Sequence, residues 1–315
     1  MKPAFALIFF AVICCSKIFA QSDELLLAKQ FNANGEHEKA LDIYQKLYKQ
    51  NNDAYYRDYV NTLIALKKFD DAETITKKII KKHPGDVEYV IILGSIYIHH
   101  GELDKGNALY DDLIKKLPAD QNAVSTLAGQ FYQGSNADYA IKTFLQGRKL
   151  LHDDNLFAFD LITLYRFKRD KAGLIEEYLN VLPLNNMFLS QAENTLATLF
   201  QGENDYDVLR VALLKRIQKD PQQTVFVNLL IWQFLQQKDF DMALNQALAL
   251  SRRTNNDGSD VYDLCRTLVA NGAYDTAIRG YEYLIGRGKD QPLYADAKIE
   301  LINTKNLKIT AGKYV

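Results

Sequence analysis

A period of 34 residues constrains this chain more than any other feature. Pro84 and Pro118 are 34 apart; so are Ala72, Gly106 and Ala140 in series, and Leu209, Ala243 and Ala277. The stretch GSIYIHHGELDKGNALYDDLIKKLP, residues 94–118, shows what the period encodes. With Val90 and Leu93 just before it, Gly94 and Tyr97 complete one apolar face of a helix, and Gly106, Tyr110 and Leu113 form one face of a second. Gly101 marks the end of the first helix, where a left-handed residue costs little without a Cβ. Pro118 stops the second, because it cannot donate the next backbone hydrogen bond. The period therefore predicts two antiparallel helices and a stop. One such pair cannot bury its apolar stripes alone, so neighbouring pairs must stack.

The pattern resembles the tetratricopeptide repeat family. That family places bulky residues, two close-approach small residues and two aromatics along each helix pair, with a proline at the end. The unit after the quoted one carries Val124, Leu127, Ala128, Phe131, Ala140, Phe144 and Gly147. Earlier units carry Tyr56, Tyr59, Val60, Leu63, Ala72 and Pro84, and Leu27, Ala28, Phe31, Ala40, Tyr44 and Leu47, the latter two residues short. The second half is looser. Its units carry Leu196, Ala197, Phe200, Leu209, Leu213 and Pro221; then Val227, Leu230, Phe234, Ala243, Ala247 and Leu250; then Val261, Leu264, Cys265, Leu268, Ala277, Tyr281 and Leu284. Residues 155–187 match poorly: Ala158, Leu161, Tyr165 and Tyr178 fit, but Leu174 stands where a small residue is expected. The resemblance implies an all-α, right-handed superhelical solenoid of about eight helix-turn-helix units, spanning residues 21–287. A capping helix, or the start of a further repeat, is expected over 288–303, with Leu293, Ala297, Ile299 and Leu301 packing inward. Residues 304–315 read as a polar tail or linker, so a further functional module beyond residue 315 is a reading to keep.

Family members hold peptides on the concave surface, through defined first-helix positions. Carried onto this chain, the resemblance implies that Arg57, Asn61, Tyr132, Phe159, Arg166, Trp232, Tyr262 and Arg266 face the partner. Glu88, Ser95, Ile98 and Asn228 fall at equivalent places. The mix is polar and aromatic, which suits an extended peptide: its backbone needs hydrogen-bond partners and its side chains need shallow pockets. Trp232 also reads as a residue partly buried against a neighbouring repeat. The family's basic clamp for a C-terminal carboxylate begins at Arg57 and Asn61, then breaks at Ile92 and Thr126, so that ligand class is not expected.

The residues themselves offer no chemistry to compete with binding. Adjacent histidines on a helix point about 100° apart, so His99 and His100 cannot easily share a metal ion. No phosphate-cradling glycine loop, nucleophile elbow or calcium loop is present. Cys265 falls at a tight helix-packing position and reads as an inert buried thiol. No catalytic residue, metal ligand or cofactor is expected, and the chain reads as a non-enzymatic scaffold. With 38 basic and 39 acidic residues and no long run of either sign, it lacks the footprint of a nucleic-acid binder.

The first residues differ in kind. MKPAFALIFFAVICCSKIFAQ has an early lysine, a short apolar run and Ile18-Phe19-Ala20 before Gln21. This reads as a secretory signal peptide cleaved after Ala20. Its ending resembles signal peptides common among Bacteroidetes, which places the protein in the periplasm or at the outer-membrane periphery. Two other readings are an uncleaved anchor helix and a lipoprotein processed at Cys14 or Cys15; for a cleaved chain, lipidation there is the only expected route to membrane contact. Cleavage would remove Lys2, Lys17 and two of the three cysteines, leaving Cys265 and no internal disulfide. Competing functions are a lipid-anchored outer-membrane assembly factor, the regulatory N-terminal part of a longer enzyme, and a carbohydrate-capture protein.

Overall fold

In a computed structural model, residues 23–311 are described, and the expected signal peptide lies outside them. Among the described residues every regular element is a helix. The described residues divide into two compact units, 23–154 and 155–311.

The first unit holds α1 (residues 23–33), α2 (His37–Gln50), α3 (Asn52–Ala65), α4 (Phe69–Lys82), α5 (Val87–His99), α6 (Leu103–Lys115), α7 (Gln121–Gln133) and α8 (Ala137–Leu151). They form four antiparallel pairs. The second holds α9 (Ala158–Lys168), α10 (Lys171–Val181), α11 (Leu189–Leu199), α12 (Glu203–Lys219), α13 (Thr224–Gln236), α14 (Phe240–Thr254), α15 (Ser259–Ala270), α16 (Tyr274–Gly286) and α17 (Tyr294–Ala311). A single turn of 3₁₀ helix, Asn186–Phe188, leads into α11.

The turn inside each pair is a device repeated along the chain. Gly35, Lys67, Gly101, Ser135, Arg169, Lys238 and Gly272 all have left-handed backbones. The next residue's N–H then reaches back to the carbonyl near the end of the first helix: Glu102 to Tyr97 and Lys68 to Leu63, each at 2.8 Å, and Ala273 to Leu268 at 2.9 Å. This is the capping pattern that satisfies otherwise orphaned carbonyls. The pair α11/α12 departs from it. There Phe200 is extended and no left-handed residue follows. Side chains cap α3, α5 and α7 among the first helices and α8, α10 and α14 among the second: Asp120 accepts from the Ala123 N–H at 2.8 Å and Asp170 from the Gly173 N–H at 3.0 Å.

The close approach of helices rests on small residues, as the period predicts. Ala28, Ala40, Ala72, Ala128, Ala140, Ala243 and Ala277 are fully buried. A Cβ on Gly94 would overlap the ring of Tyr110, and one on Gly106 would lie 2.6 Å from the Gly94 carbonyl oxygen. Tyr110 is locked over that gap, donating its hydroxyl to the Ile91 carbonyl at 3.0 Å and stacking edge-on against Phe131 and Tyr139.

Three sequence expectations require correction. Leu174 is not an intruder in a close-approach position: it is fully buried in the core, and its neighbour Gly173 takes the approach, with a Cβ there falling 2.5 Å from the ring of Tyr165. Ala197 faces solvent and Ala192 is buried instead, because α11 ends at Leu199 without the repeated turn and its stripe is rotated. At the far end, α17 does not stop near residue 303. It continues to Ala311, so most of the expected polar tail is helix. Ala297 and Thr304 carry its packing, whereas Ile299, expected inward, is 56% exposed.

Candidate functional site

The first unit contains a cleft of about 240 Å³ built on the first helices of consecutive pairs. Ile64, Ile91 and Ile92 supply its apolar lining. Arg57 and Asn61 come from α3, Glu88 and Ser95 from α5, and Gln130 and Gln133 from α7, with Gly134 and Ser135 from the turn after it. These side chains share a face because the 34-residue period returns each first helix to the same orientation. Near one end the Arg57 guanidinium pairs with the Glu88 carboxylate at 2.5 Å. An exposed pair of this kind adds little stability, but it leaves the rim without a free charge at that point.

The remaining polar side chains are neutral amides and the hydroxyls of Ser95 and Ser135, which can both donate and accept. The Gln130 side-chain oxygen is buried and lacks a hydrogen-bond partner. Ser95 lies 3.3 Å from Nδ1 of His99, but that nitrogen is 2.7 Å from the Ser95 carbonyl oxygen. Nδ1 must therefore carry the proton and donate it to the carbonyl, so it cannot take one from the serine hydroxyl. His100 points elsewhere, its ring stacked on Phe69 at 5.0 Å.

The sequence-expected binding residues fall into three groups. Arg57 and Asn61 line the cleft, and Glu88 and Ser95 join them. Tyr132 does not line it, although it is 44% exposed; Gln130 and Gln133 do instead. Those two lie on one side of α7, roughly 200° around the helix from Gln130 to Tyr132 at 100° per residue. Ile98 also turns away, with its side chain against Gly106.

The second unit does not gather its candidates. Phe159 is half exposed and rests on Phe188, ring centroids 4.7 Å apart. Trp232 is half-buried, 6.4 Å from the ring of Tyr206, and packs against the core around Leu209 and Leu230. Tyr262 leans edge-on against Tyr281, while Arg166 and Arg266 are exposed. One cleft of this unit, about 230 Å³, lies among α11, α13, α14 and α15 and is lined by Asn228, Ser251, Asn256, Asp260 and Asp263 above leucines and Ile231. Of these the sequence reading had picked out Asn228. Asp260 and Asp263 escaped it because they flank the buried stripe of α15 rather than occupy the peptide-facing positions implied by the family.

Cys265 behaves as expected of a packing residue. It is fully buried, a Cβ on Gly280 would overlap its sulfur, and burial pushes its thiol up to about 12. Burial likewise pushes the hydroxyls of Tyr44 and Tyr139 up to about 12, with the Asp58 and Asp111 carboxylates adding to the effect.

The tetratricopeptide repeat family model matches residues 31–96, which spans α2, α3 and α4 and most of α5. No curated protein matches the chain. Among solved structures, one of Naa15/Naa10 bound to HypK-THB is 18% identical, with a TM-score of 0.33; 84% of this chain aligns, spanning 39% of that one. A thermophilic tetratricopeptide repeat protein of Thermus thermophilus is 16% identical over 63% of this chain and 99% of its own, TM-score 0.30. A tetratricopeptide repeat protein from Parabacteroides merdae is 13% identical over 83% and 98%, TM-score 0.28.

Proposed function

We propose that the chain is a non-enzymatic scaffold that binds an extended segment of another protein in the cleft on α3, α5 and α7. The observation that carries this reading is the lining itself. Asn61, Ser95, Gln130 and Gln133 offer neutral donors and acceptors above Ile64, Ile91 and Ile92. A main chain laid across them finds hydrogen-bond partners, and its side chains find shallow apolar contacts. The Arg57–Glu88 pair leaves no net charge at the rim, which favours an uncharged segment over a phosphate or a free carboxylate. The test is selection of peptides on the purified chain, followed by calorimetry on the Asn61→Ala and Gln133→Ala variants. Each should weaken binding by about 1 kcal/mol or more with helix content unchanged. Undiminished affinity in both folded variants would remove this cleft as the site.

We propose further that the protein is exported to the periplasm or outer-membrane periphery. This rests on residues 1–20, and intact mass tests it: the exported form should begin at Gln21. A diacylated or triacylated mass starting at Cys14 or Cys15 would replace this with the lipid-anchored reading.

A further inference from the structure

Helix α17 has two apolar sides, and only one is used. Ala297 and Thr304 are buried against the second unit, Leu301 is half-buried, and Lys305 and Lys308 tie the helix to Glu282 and Asp275 of α16. On the opposite side Ile299, Ile302 and Ile309 are 56%, 62% and 59% exposed. Counting back one period, Ala295, Ile299 and Ile302 correspond to Val261, Cys265 and Leu268. Those three are fully buried, packed in one core with the α16 residues Ala277, Tyr281 and Leu284. The stripe that a second helix covers in the preceding repeat is thus open on α17.

Its spacing is that of a coiled-coil seam. Ala295, Ile299, Ile302, Asn306 and Ile309 alternate by four and three residues, so they occupy successive core positions of a heptad. Asn306 falls at an a position, between two isoleucines at d, where a polar residue specifies register and partner number. The flanking charges select the orientation. In an antiparallel pair of identical helices, Lys298 of each copy would face Lys305 of the other. In a parallel pair those lysines face Asn303 and Thr310, which are uncharged, and each Asn306 meets its own counterpart.

We propose that α17 is a homodimerisation helix, its Ala295–Ile309 seam packing in parallel against the same seam of a second copy. The contact is isologous, so it closes as a dimer about a two-fold axis. The helix is already held in place by its inner side, so association does not have to pay for folding it.

Sedimentation equilibrium of the purified chain tests this. A dimer is expected, converted to monomer by Ile302→Glu with an unchanged circular dichroism spectrum. In a chain carrying Cys14→Ser and Cys15→Ser, Asn306→Cys should form an intermolecular disulfide in high yield on mild oxidation, because parallel a positions stack on themselves. A parent that stays monomeric throughout the micromolar range overturns the proposal, as does a dimer that survives Ile302→Glu. A dimer in which Asn306→Cys fails to cross-link overturns the parallel seam, and that arm stands even if Ile302→Glu does not fold.

Discussion

Gly94 sits in the middle of α5, and replacing it with alanine sets two effects of opposite sign against each other. Alanine is the better helix former, so on propensity alone Gly94→Ala should stabilise the chain by about 1 kcal/mol. Packing opposes this. The new Cβ would overlap the ring of Tyr110, which is 2% exposed and cannot swing aside without breaking its bond to the Ile91 carbonyl and its edge contacts with Phe131 and Tyr139. The backbone cannot retreat either, because Gly106 already packs against the Gly94 carbonyl. Overpacking of this kind costs about 1–3 kcal/mol, and losing the tyrosine hydrogen bond adds about 1 kcal/mol. The net expectation is destabilisation by about 1–3 kcal/mol, more for Gly94→Leu. Gly129 supplies the control: it lies inside α7 with open space where its Cβ would stand, so Gly129→Ala should show the propensity gain alone. Urea unfolding followed by far-ultraviolet circular dichroism compares the two. Equal gains from both substitutions would refute the helix register assigned around Tyr110.

Tyr110→Phe should lower stability by about 1 kcal/mol in the same urea assay, since it removes one buried hydrogen bond and no volume. Cys265 should resist a thiol reagent in the native chain at mildly alkaline pH and react promptly once unfolded, as its raised thiol and full burial both require; mass spectrometry of the labelled chain reads this. Asp205 accepts from the Gln201 backbone N–H and from Lys171, which together hold its carboxyl below the ordinary 3.8. A lowered folded value stabilises the fold above 3.8 and loses that contribution as pH falls through it. The Tm gap between parent and Asp205→Asn should therefore be full at neutral pH and close below pH 3.8.

Much of the fold was legible because the 34-residue period is enforced twice, once by packing and once by the turn. Gly94, Gly106 and Tyr110 were readable as a close approach because no other combination fits two backbones that near. The turns were readable only where glycine marks them, at Gly35, Gly101 and Gly272. Lys67, Ser135, Arg169 and Lys238 adopt the same left-handed backbone, and nothing in those residue types announces it. The α11/α12 pair, lacking that turn, is also where the register drifted and Ala197 was misplaced. Leu174 misled for a related reason: a one-residue shift hands the approach to Gly173, and periodicity does not resolve one residue. Of the residues that the repeat register offered, Arg57 and Asn61 line the cleft of the first unit, Tyr132 does not, and Trp232 is half-buried beside Tyr206, because the register gives a residue's place on its helix but not where neighbouring helices leave a cleft.

Site-specific photo-cross-linking in the native cell tests the central claim most directly. A photoreactive residue placed at Ser95, within the cleft, should capture a protein partner, and the adduct should disappear when Asn61 and Gln133 are replaced with alanine. The same group at Lys142, which is exposed on α8, pairs with Asp111 and does not line the cleft, should capture none. Adducts at Lys142 without any at Ser95 would contradict the assignment of this cleft as the binding surface.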